Sequence, residues 1–580
     1  MNKLTILLFL CFTLPVFAQK HAFEKHTPDS TAHAPLAQKR PMEKHALDST
    51  AHAPTAIPAP VGRPKLIVGI VVDQMRWDYL YRYAAKYGQT GFKRLQSGYN
   101  CENTHIPYVP TYTAPGHSCI YTGSVPAIHG IVGNEWYDRE KKAVVTNVED
   151  TIYKTVGATG DNGRLSPNRI LTTTITDELR LATNFKSKVI GIAAKDRGAI
   201  LPAGHAANAA YWFDGKSGSF ITSNYYMDSL PTWVNNFNDK KLPAKYLKDN
   251  WKTVIELSKY TESSDDDEEY EKPMSQETRA VFPHLVAEEV AKNPGVLIGT
   301  PWGNTLTFDF AKAVIANEKM GMTGNTDFLA MSCSSTDYIG HQFGPNSVET
   351  EDCYIRFDKD LGDFLAYLDK QLGPGNYTVF LSADHGASHA SGFNKQHHML
   401  SGVFKGDSML KNCNAYLKAK YGKDSLVEHY RNMQLYIDHD RVKNAGLDLD
   451  VDIIRADLAQ YLLTIKGVAK ALNLSKLTEE ELPASQREMF INGYYPKRSG
   501  DVQIVFEPGY LEGYTKGTTH GTVYAYDTHI PLLWYGWGVK KGYDYSPVYM
   551  TDIAATLAAM LHIQEPNGCI GKPIEGLLKK

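Results

Sequence analysis

The stretch Lys65-Leu66-Ile67-Val68-Gly69-Ile70-Val71-Val72-Asp73 is apolar from Leu66 to Val72 without alternation and ends on a carboxylate. An unbroken apolar run of this length reads as a strand covered on both faces, the pattern of a parallel sheet flanked by helices. The runs Lys188–Ala194, Asp327–Ser332, Tyr377–Ala383 and Pro531–Tyr535 repeat it. Between them lie amphipathic stretches, Asn168–Leu181, Glu349–Leu372 and Asp552–Leu561. The first is preceded by Ser166-Pro167, a cap followed by proline at a first helical position. Strands alternating with helices predict an α/β fold, with a mostly parallel central sheet and helices on both faces.

Composition agrees with a folded enzyme-sized chain. Of 580 residues, 43% are hydrophobic and 22% charged, which excludes wholesale disorder. The formal net charge is −3, so no global field favours nucleic acid as a partner. Residues 1–18 place Lys3 before an apolar run from Leu4 to Leu14 and a small residue, Ala18, before Gln19. This is the pattern of a cleavable signal peptide, too short to span a bilayer, and it implies a periplasmic or secreted protein without a stable membrane span. Residues 19–62 hold a tandem repeat in which Glu24-Lys25-His26 and Glu43-Lys44-His45 each lead into Asp-Ser-Thr-Ala-His-Ala-Pro. Poor in large apolar residues, the segment reads as a flexible linker. Beyond it the cysteines Cys101, Cys119, Cys333, Cys353, Cys413 and Cys569 form no CxxC pair, so a thiolate metal site is disfavoured and structural roles are expected.

The folded part spans 63–580. Two regions fit the alternation poorly and are expected to be inserted cap segments, near 205–325 and 390–500. The first carries the acidic run Asp265-Asp266-Asp267-Glu268-Glu269, which reads as a solvated loop, since calcium-ligand spacing is absent.

Acidic and imidazole side chains recur where apolar runs stop. Asp73 follows the first; Asp337 and His341 follow the third; Asp384-His385 follow the fourth; His520 precedes the last. Strand carboxyl ends share one edge of a parallel sheet, where ligand crevices form. Three carboxylates and three imidazoles gathered there are costly unless they hold cations. Singly, each is weak, because a strand-terminal Asp is more often a turn or cap residue.

The segment Pro110-Thr111-Tyr112-Thr113-Ala114-Pro115-Gly116-His117-Ser118 adds a nucleophile motif. With the ligand set in the same order, the chain from Arg63 onward resembles the alkaline phosphatase superfamily of two-metal phospho- and sulfo-hydrolases. Within it the chain is similar to nucleotide pyrophosphatase/phosphodiesterases and to the phosphate-irrepressible (PafA-type) alkaline phosphatases. The resemblance implies an alkaline phosphatase-like fold and Thr113 as the nucleophile. It implies two Zn2+ ions, one held by Asp73, Asp384 and His385, the other by Asp337, His341 and His520. Oxygen and imidazole donors without thiolate suit zinc. It further implies a phosphothreonine intermediate, with backbone N–H groups near Ala114 and the amide of Asn134 favouring the anion.

Lys195 and Arg197, two apart after a predicted strand, match the cationic pair of the PafA-type enzymes. Such a pair serves the doubly charged group of a small-molecule phosphate monoester better than a diester. Monoester hydrolysis is therefore expected, with phosphodiesterase or pyrophosphatase activity as the alternative and an inactive secreted metal-binding protein as the non-enzymatic one. A sulfatase is disfavoured, since Thr113 stands where a formylglycine precursor is required. The residues alone also fit a helix-capping role for Thr113 and a surface pairing of Lys195 and Arg197 with Asp196.

Overall fold

A computed structural model describes residues 62–444 and 450–578. The signal segment expected at 1–18 and nearly all of the repeat-bearing linker at 19–62 lie outside the described residues.

Among the described residues the main sheet has eleven strands, of which seven position the site: β1 (Leu66–Val72), β2 (Tyr99–His105), β3 (Val189–Ala193), β4 (Ala209–Asp214), β5 (Asp327–Cys333), β6 (Tyr377–Ser382) and β7 (His529–Gly536). They lie in the order β2-β7-β6-β1-β5-β3-β4. β1 pairs in parallel with both β5 and β6, and β3 with both β5 and β4. Every residue of β1 is buried, as its uninterrupted apolar sequence requires. Register brings the parallel strands to a common edge: Val71 pairs with Ser332 and Ser382, and Ala193 with Ser332.

β7 departs from the parallel expectation. It runs antiparallel to β6 and to β2, so the sheet is mixed. The reversal has a consequence for function, because it delivers the amino end of β7, not its carboxyl end, to the edge where the parallel strands finish. The segment before it, containing His520, therefore arrives beside Asp384 and His385.

The helices that matter are α1 (Thr113–Thr122), α2 (Ile175–Ala182), α3 (Asp196–Ala203), α4 (Trp302–Glu318), α5 (Ser335–Phe343) and α6 (Val348–Leu372). The expected start at Ser166-Pro167 is corrected. α2 begins at Ile175, where Thr174 and Asp177 form a reciprocal capping box. Ser166 Oγ instead accepts from Asn168 N at 3.2 Å and donates to Asp150, closing a local turn.

The stretch near 205–325 is less of an insertion than its sequence suggests. β4 and Ser219–Ser223 extend the central sheet, and α4 joins the same apolar core through Phe308, Phe310 and Val314. Its aromatics are core residues, with Phe220 and Phe310 stacked at 3.7 Å. The stretch near 390–500 is built differently. A four-stranded antiparallel sheet of Val427–Arg431, Gln434–Ile437, Val502–Phe506 and Val468–Asn473 packs with Gly406–Tyr421 and Val451–Leu462 around a separate apolar cluster. Tyr112 packs against that cluster, which couples the cap to the start of α1. The cysteines from Cys101 to Cys413 are buried, and no disulfide occurs among the described residues. No helix among the described residues is long and apolar enough to cross a membrane.

Candidate active site

The common strand edge assembles the site. Asp73 follows β1 directly. α5 starts just past β5 and carries Asp337 and His341 at i and i+4, on one helical face. Asp384 and His385 follow β6, and His520 enters ahead of the reversed β7. His385 Nε2 lies 3.5 Å from Asp73 Oδ1 and 3.6 Å from Asp384 Oδ2. Asp337 Oδ1 lies 3.2 Å from His341 Nε2 and 3.8 Å from His520 Nε2. Two groups of donors capable of holding a metal ion result, Asp337-His341-His520 and Asp73-Asp337-His385, and Asp337 belongs to both.

Each imidazole is oriented by backbone. The Nδ1 atoms of His341, His385 and His520 pair with the carbonyls of Thr518 (2.8 Å), Gly386 (3.0 Å) and Thr111 (2.7 Å). These contacts make Nδ1 the protonated nitrogen and leave Nε2 as the lone-pair donor toward the cluster, the arrangement a metal ligand needs. Asp73 Oδ1 and Asp384 Oδ2 are buried acceptors without a hydrogen-bond partner. A buried carboxylate oxygen left unpaired is expensive, so the donor set fits one or more cations.

Electrostatics points the same way. Burial pushes Asp384 up to about 7 and holds Asp73 well above the carboxylate range, with the Asp337 and Asp384 charges adding to the rise in Asp73. Burial acts on Asp337 as well, but His341 and Lys195 outweigh it and keep that carboxyl well below its ordinary value. Burial lowers His385 to about 4 and drives His520 well below its ordinary value, so both imidazoles are neutral.

Thr113 opens α1, buried, and its Oγ1 lies 3.3 Å from His385 Nε2. The residue before it, Tyr112, occupies the cap position, and no side-chain cap bond forms there. The hydroxyl faces the donor cluster. The backbone N–H of Ala114 has a different task from the one expected: it donates to Asn134 Oδ1 at 2.9 Å. That bond fixes the amide and leaves the Asn134 NH2 group as the available donor.

Lys195 caps the start of α3, with its side chain 4% exposed. Its Nζ donates to Asp73 Oδ2 at 2.7 Å and to Asp337 Oδ2 at 2.5 Å, not to Asp196. Arg197 lies 3.7 Å from Asp196, and its Nε has no hydrogen-bond partner. With Tyr112 and Asn134 it lines a cavity of about 740 Å3, which Lys405 and Arg431 of the cap and Glu512 also line.

Gln74, His117 and Asp527 support this set. Gln74, at φ 65°, donates from its backbone N to Asp384 Oδ1 (3.2 Å) and from Nε2 to Asp337 Oδ1 (2.7 Å). Nothing in the sequence marks it except its place after Asp73. His117 sits 3.2 Å from Ser332 Oγ and 3.7 Å from Asp384 Oδ2. Asp527 accepts from Thr522 N at 2.7 Å, and its carbonyl accepts from Gly386 N at 2.8 Å, tying the His520 segment to the His385 turn. By contrast His389, His397 and His529 bond to Asn346, Phe393 O and Glu102 O.

A family model described as type I phosphodiesterase / nucleotide pyrophosphatase matches residues 67–531. Alkaline phosphatase PhoV of Synechococcus elongatus is 50% identical over 532 residues, covering 90% of this chain and 94% of that protein. Alkaline phosphatase PafA of Elizabethkingia meningoseptica is 49% identical over 522 residues, covering 89% and 94%. The crystal structure of wild-type PafA matches with a TM-score of 0.88 at 48% identity, over 90% of this chain and 100% of that one. A solved PafA variant carries substitutions at a threonine, an asparagine, a lysine and an arginine, in that order. With a family match over most of its length and relatives at half identity, the chain belongs to the type I phosphodiesterase/nucleotide pyrophosphatase family of the alkaline phosphatase superfamily, close to the PafA-type alkaline phosphatases.

Proposed function

We propose that this chain is an alkaline phosphatase that hydrolyses small-molecule phosphate monoesters to an alcohol and inorganic phosphate. The observation that carries the reading is the position of Thr113 Oγ1, 3.3 Å from His385 Nε2, at the start of a helix facing the convergent donors of Asp73, Asp337, His341, His385 and His520, with Asp384 Oδ2 3.6 Å from the same His385 nitrogen. Asp73, Asp384 and His385 would hold one Zn2+, and Asp337, His341 and His520 the other. When bound, the ions supply Lewis acidity that favours the Thr113 alkoxide and the departing ester oxygen.

The protein's own groups do the rest. Thr113 Oγ1 attacks phosphorus, the ester oxygen leaves, and a phosphothreonine forms. Water then attacks that phosphorus, returning the hydroxyl to Thr113 and releasing phosphate. Asn134, its carbonyl pinned by Ala114 N–H, presents its NH2 to a non-bridging oxygen. Arg197 lines the same cavity with an unpaired Nε–H, placed for a charge-assisted bond to a second oxygen. Lys195 balances the charge of Asp73 and Asp337 and brings its ammonium to the same edge. The four residue types changed in the PafA variant match Thr113, Asn134, Lys195 and Arg197 in kind and order, which supports the assignment.

The full reading includes a catalytic domain from 63 to 580 and export to the periplasm or beyond, supported by the apolar segment after Lys3. N-terminal sequencing of the mature protein tests the cleavage after Ala18. The activity is tested with matched aryl mono- and diesters on zinc-loaded protein, with and without chelator, beside elemental analysis. Higher kcat/KM on the monoester, lost with the metal, is expected. Preference for the diester would favour a phosphodiesterase, and no turnover with zinc bound would favour a binding protein. Acid quenching during turnover should trap phosphate on the peptide containing Thr113.

A further inference from the structure

The segment Gly133-Asn134-Glu135 is gripped at two successive carbonyls by asparagine side chains. Asn147 Nδ2 donates to Asn134 O at 2.6 Å, and Asn147 N reaches the same oxygen at 3.2 Å. Asn432 Nδ2 donates to Glu135 O at 2.7 Å. That amide approaches closely, for a Cβ on Gly133 would stand 2.5 Å from its nitrogen. Asn134, Asn147 and Asn432 all line the cavity that Arg197 lines.

Asn147 belongs to the same hairpin as Asn134, since Glu135 pairs with Thr146 and the next residue falls beside Asn134. Asn432 does not. It stands at the tip of the cap hairpin, where Arg431 pairs with Gln434 across a two-residue turn. Both turn residues take left-handed backbone, Asn432 at φ 56° and Met433 at φ 59°. Asparagine tolerates that conformation, whereas methionine does not favour it and glycine is the residue such a turn ordinarily takes. What the methionine gains is contact. It is 4% exposed, and a Cβ on Gly521 would stand 3.0 Å from Met433 Cε and 2.9 Å from Tyr112 Cε1. Gly521 follows His520. One turn of the cap therefore meets the Asn134 segment through Asn432 and the His520 segment through Met433.

We propose that Asn432 is a positioning residue for the hydrolysis, acting from the cap through Asn134; this rests on the role given to Asn134 under the proposed function. The Asn134 side chain is pinned at Oδ1 by Ala114 N, at the start of α1. Its NH2 keeps one direction relative to Thr113 only if the backbone that bears it is pinned as well. Asn147 does this from within the hairpin, and Asn432 ties the next peptide to the cap. Losing the Asn432 amide frees the Asn134 NH2 to shift without altering any of the candidate metal ligands.

The test is a double-mutant cycle on zinc-loaded full-length protein with an aryl phosphate. Asn432→Gly keeps the left-handed turn and removes the amide, while Asn432→Asp keeps the shape and removes only the donor. Each is expected to lower kcat/KM about tenfold or more when Asn134 is present, with zinc content unchanged. In an Asn134→Ala background each should change kcat/KM by less than about twofold, because the group it positions is gone. A merely structural loss would lower activity by the same factor in both backgrounds, and that result overturns the proposal. Wild-type kcat/KM in both Asn432 variants also overturns it. Asn134→Ala with undiminished turnover removes the proposal together with the role given to Asn134, whereas a damaged Asn134→Ala enzyme with additive Asn432 effects removes this inference alone.

Discussion

Gly116 of α1 lies against the backbone of Asp384, so closely that a Cβ on Gly116 would stand 2.5 Å from the Asp384 carbonyl oxygen and 2.7 Å from its Cβ. The helix that carries Thr113 is thereby held against the turn that carries Asp384 and His385. Gly116→Ala must move one of these two backbones, since neither contact atom belongs to a flexible side chain. Overpacking of this kind costs about 1–3 kcal/mol. A displacement near 1 Å at the reacting atoms costs on the order of a hundredfold in rate. Expected, then, is a folded protein with a modestly lower Tm and kcat reduced about a hundredfold at saturating zinc. Wild-type kcat in this variant would mean the approach does not position the nucleophile.

Gln74 bonds to two of the three clustered carboxylates from opposite ends, its backbone to Asp384 and its side chain to Asp337. Room for that amide exists because residue 340 is glycine, where any Cβ would collide with Gln74 Oε1. Gln74→Leu keeps the volume and removes the donor. Loss of such an orienting bond typically weakens metal affinity about 10–100-fold. A zinc-buffer titration of occupancy checks this, with restoration of activity at high zinc as the accompanying expectation. Unchanged zinc affinity would make Gln74 a packing residue.

Lys195 and Arg197 separate the two candidate substrate classes. A monoester presents more charged oxygen than a diester, so removing either cation should harm the monoester reaction more. Lys195→Ala and Arg197→Ala are expected to lower kcat/KM for an aryl phosphate at least about tenfold more than for the matched diester. Equal losses on the two substrates would withdraw the reason for assigning a monoesterase.

Much of this architecture was legible in the chain. Unalternated apolar runs mark β1, β3, β5 and β6, and the residue after each run is where chemistry begins. Direction was not legible, because Pro531–Tyr535 reads the same whichever way it is laid into the sheet. Only pairing shows that β7 is reversed and that His520 belongs at the site because it precedes a strand. The Thr174…Asp177 box was present as a helix-start signal, yet Ser166-Pro167 offered an earlier turn of similar chemistry. Gln74 left no trace, since its role depends on carboxylates more than 260 positions away, as the separation of 263 from Asp337 records. The stretch after 205 looked inserted because its aromatics and acidic run break the alternation of apolar runs and helices, whereas the place of Ser219–Ser223 in the sheet is set by pairing with β4.

Asp501 is the hub of the cap. Its Oδ1 accepts from His439 (2.7 Å) and Arg455 (2.6 Å), and its Oδ2 from Arg139 (2.7 Å) and Ile437 N (2.8 Å). Burial alone would raise this carboxyl, but His439 and Arg139 outweigh it and bring it down to about 2. A carboxyl lowered on folding contributes stability that is present above its unfolded value near 3.8 and lost as pH falls through the folded one. The contribution is of order 2 kcal/mol, for a side chain 2% exposed. Asp501→Asn removes the charge while keeping the shape, so the variant should be less stable than wild type at neutral pH. The gap should close as pH falls from about 4 toward 2, because wild type then loses what the variant lacks. Because Arg139, which reaches Asp501, follows the hairpin strand that begins just after Asn134, the loss should also raise KM for larger esters before it lowers kcat. Urea unfolding followed through the tyrosines and tryptophans across this pH range checks the first expectation. A stability gap that stays constant from neutral to acid would assign the effect of Asp501 to packing rather than to its charge.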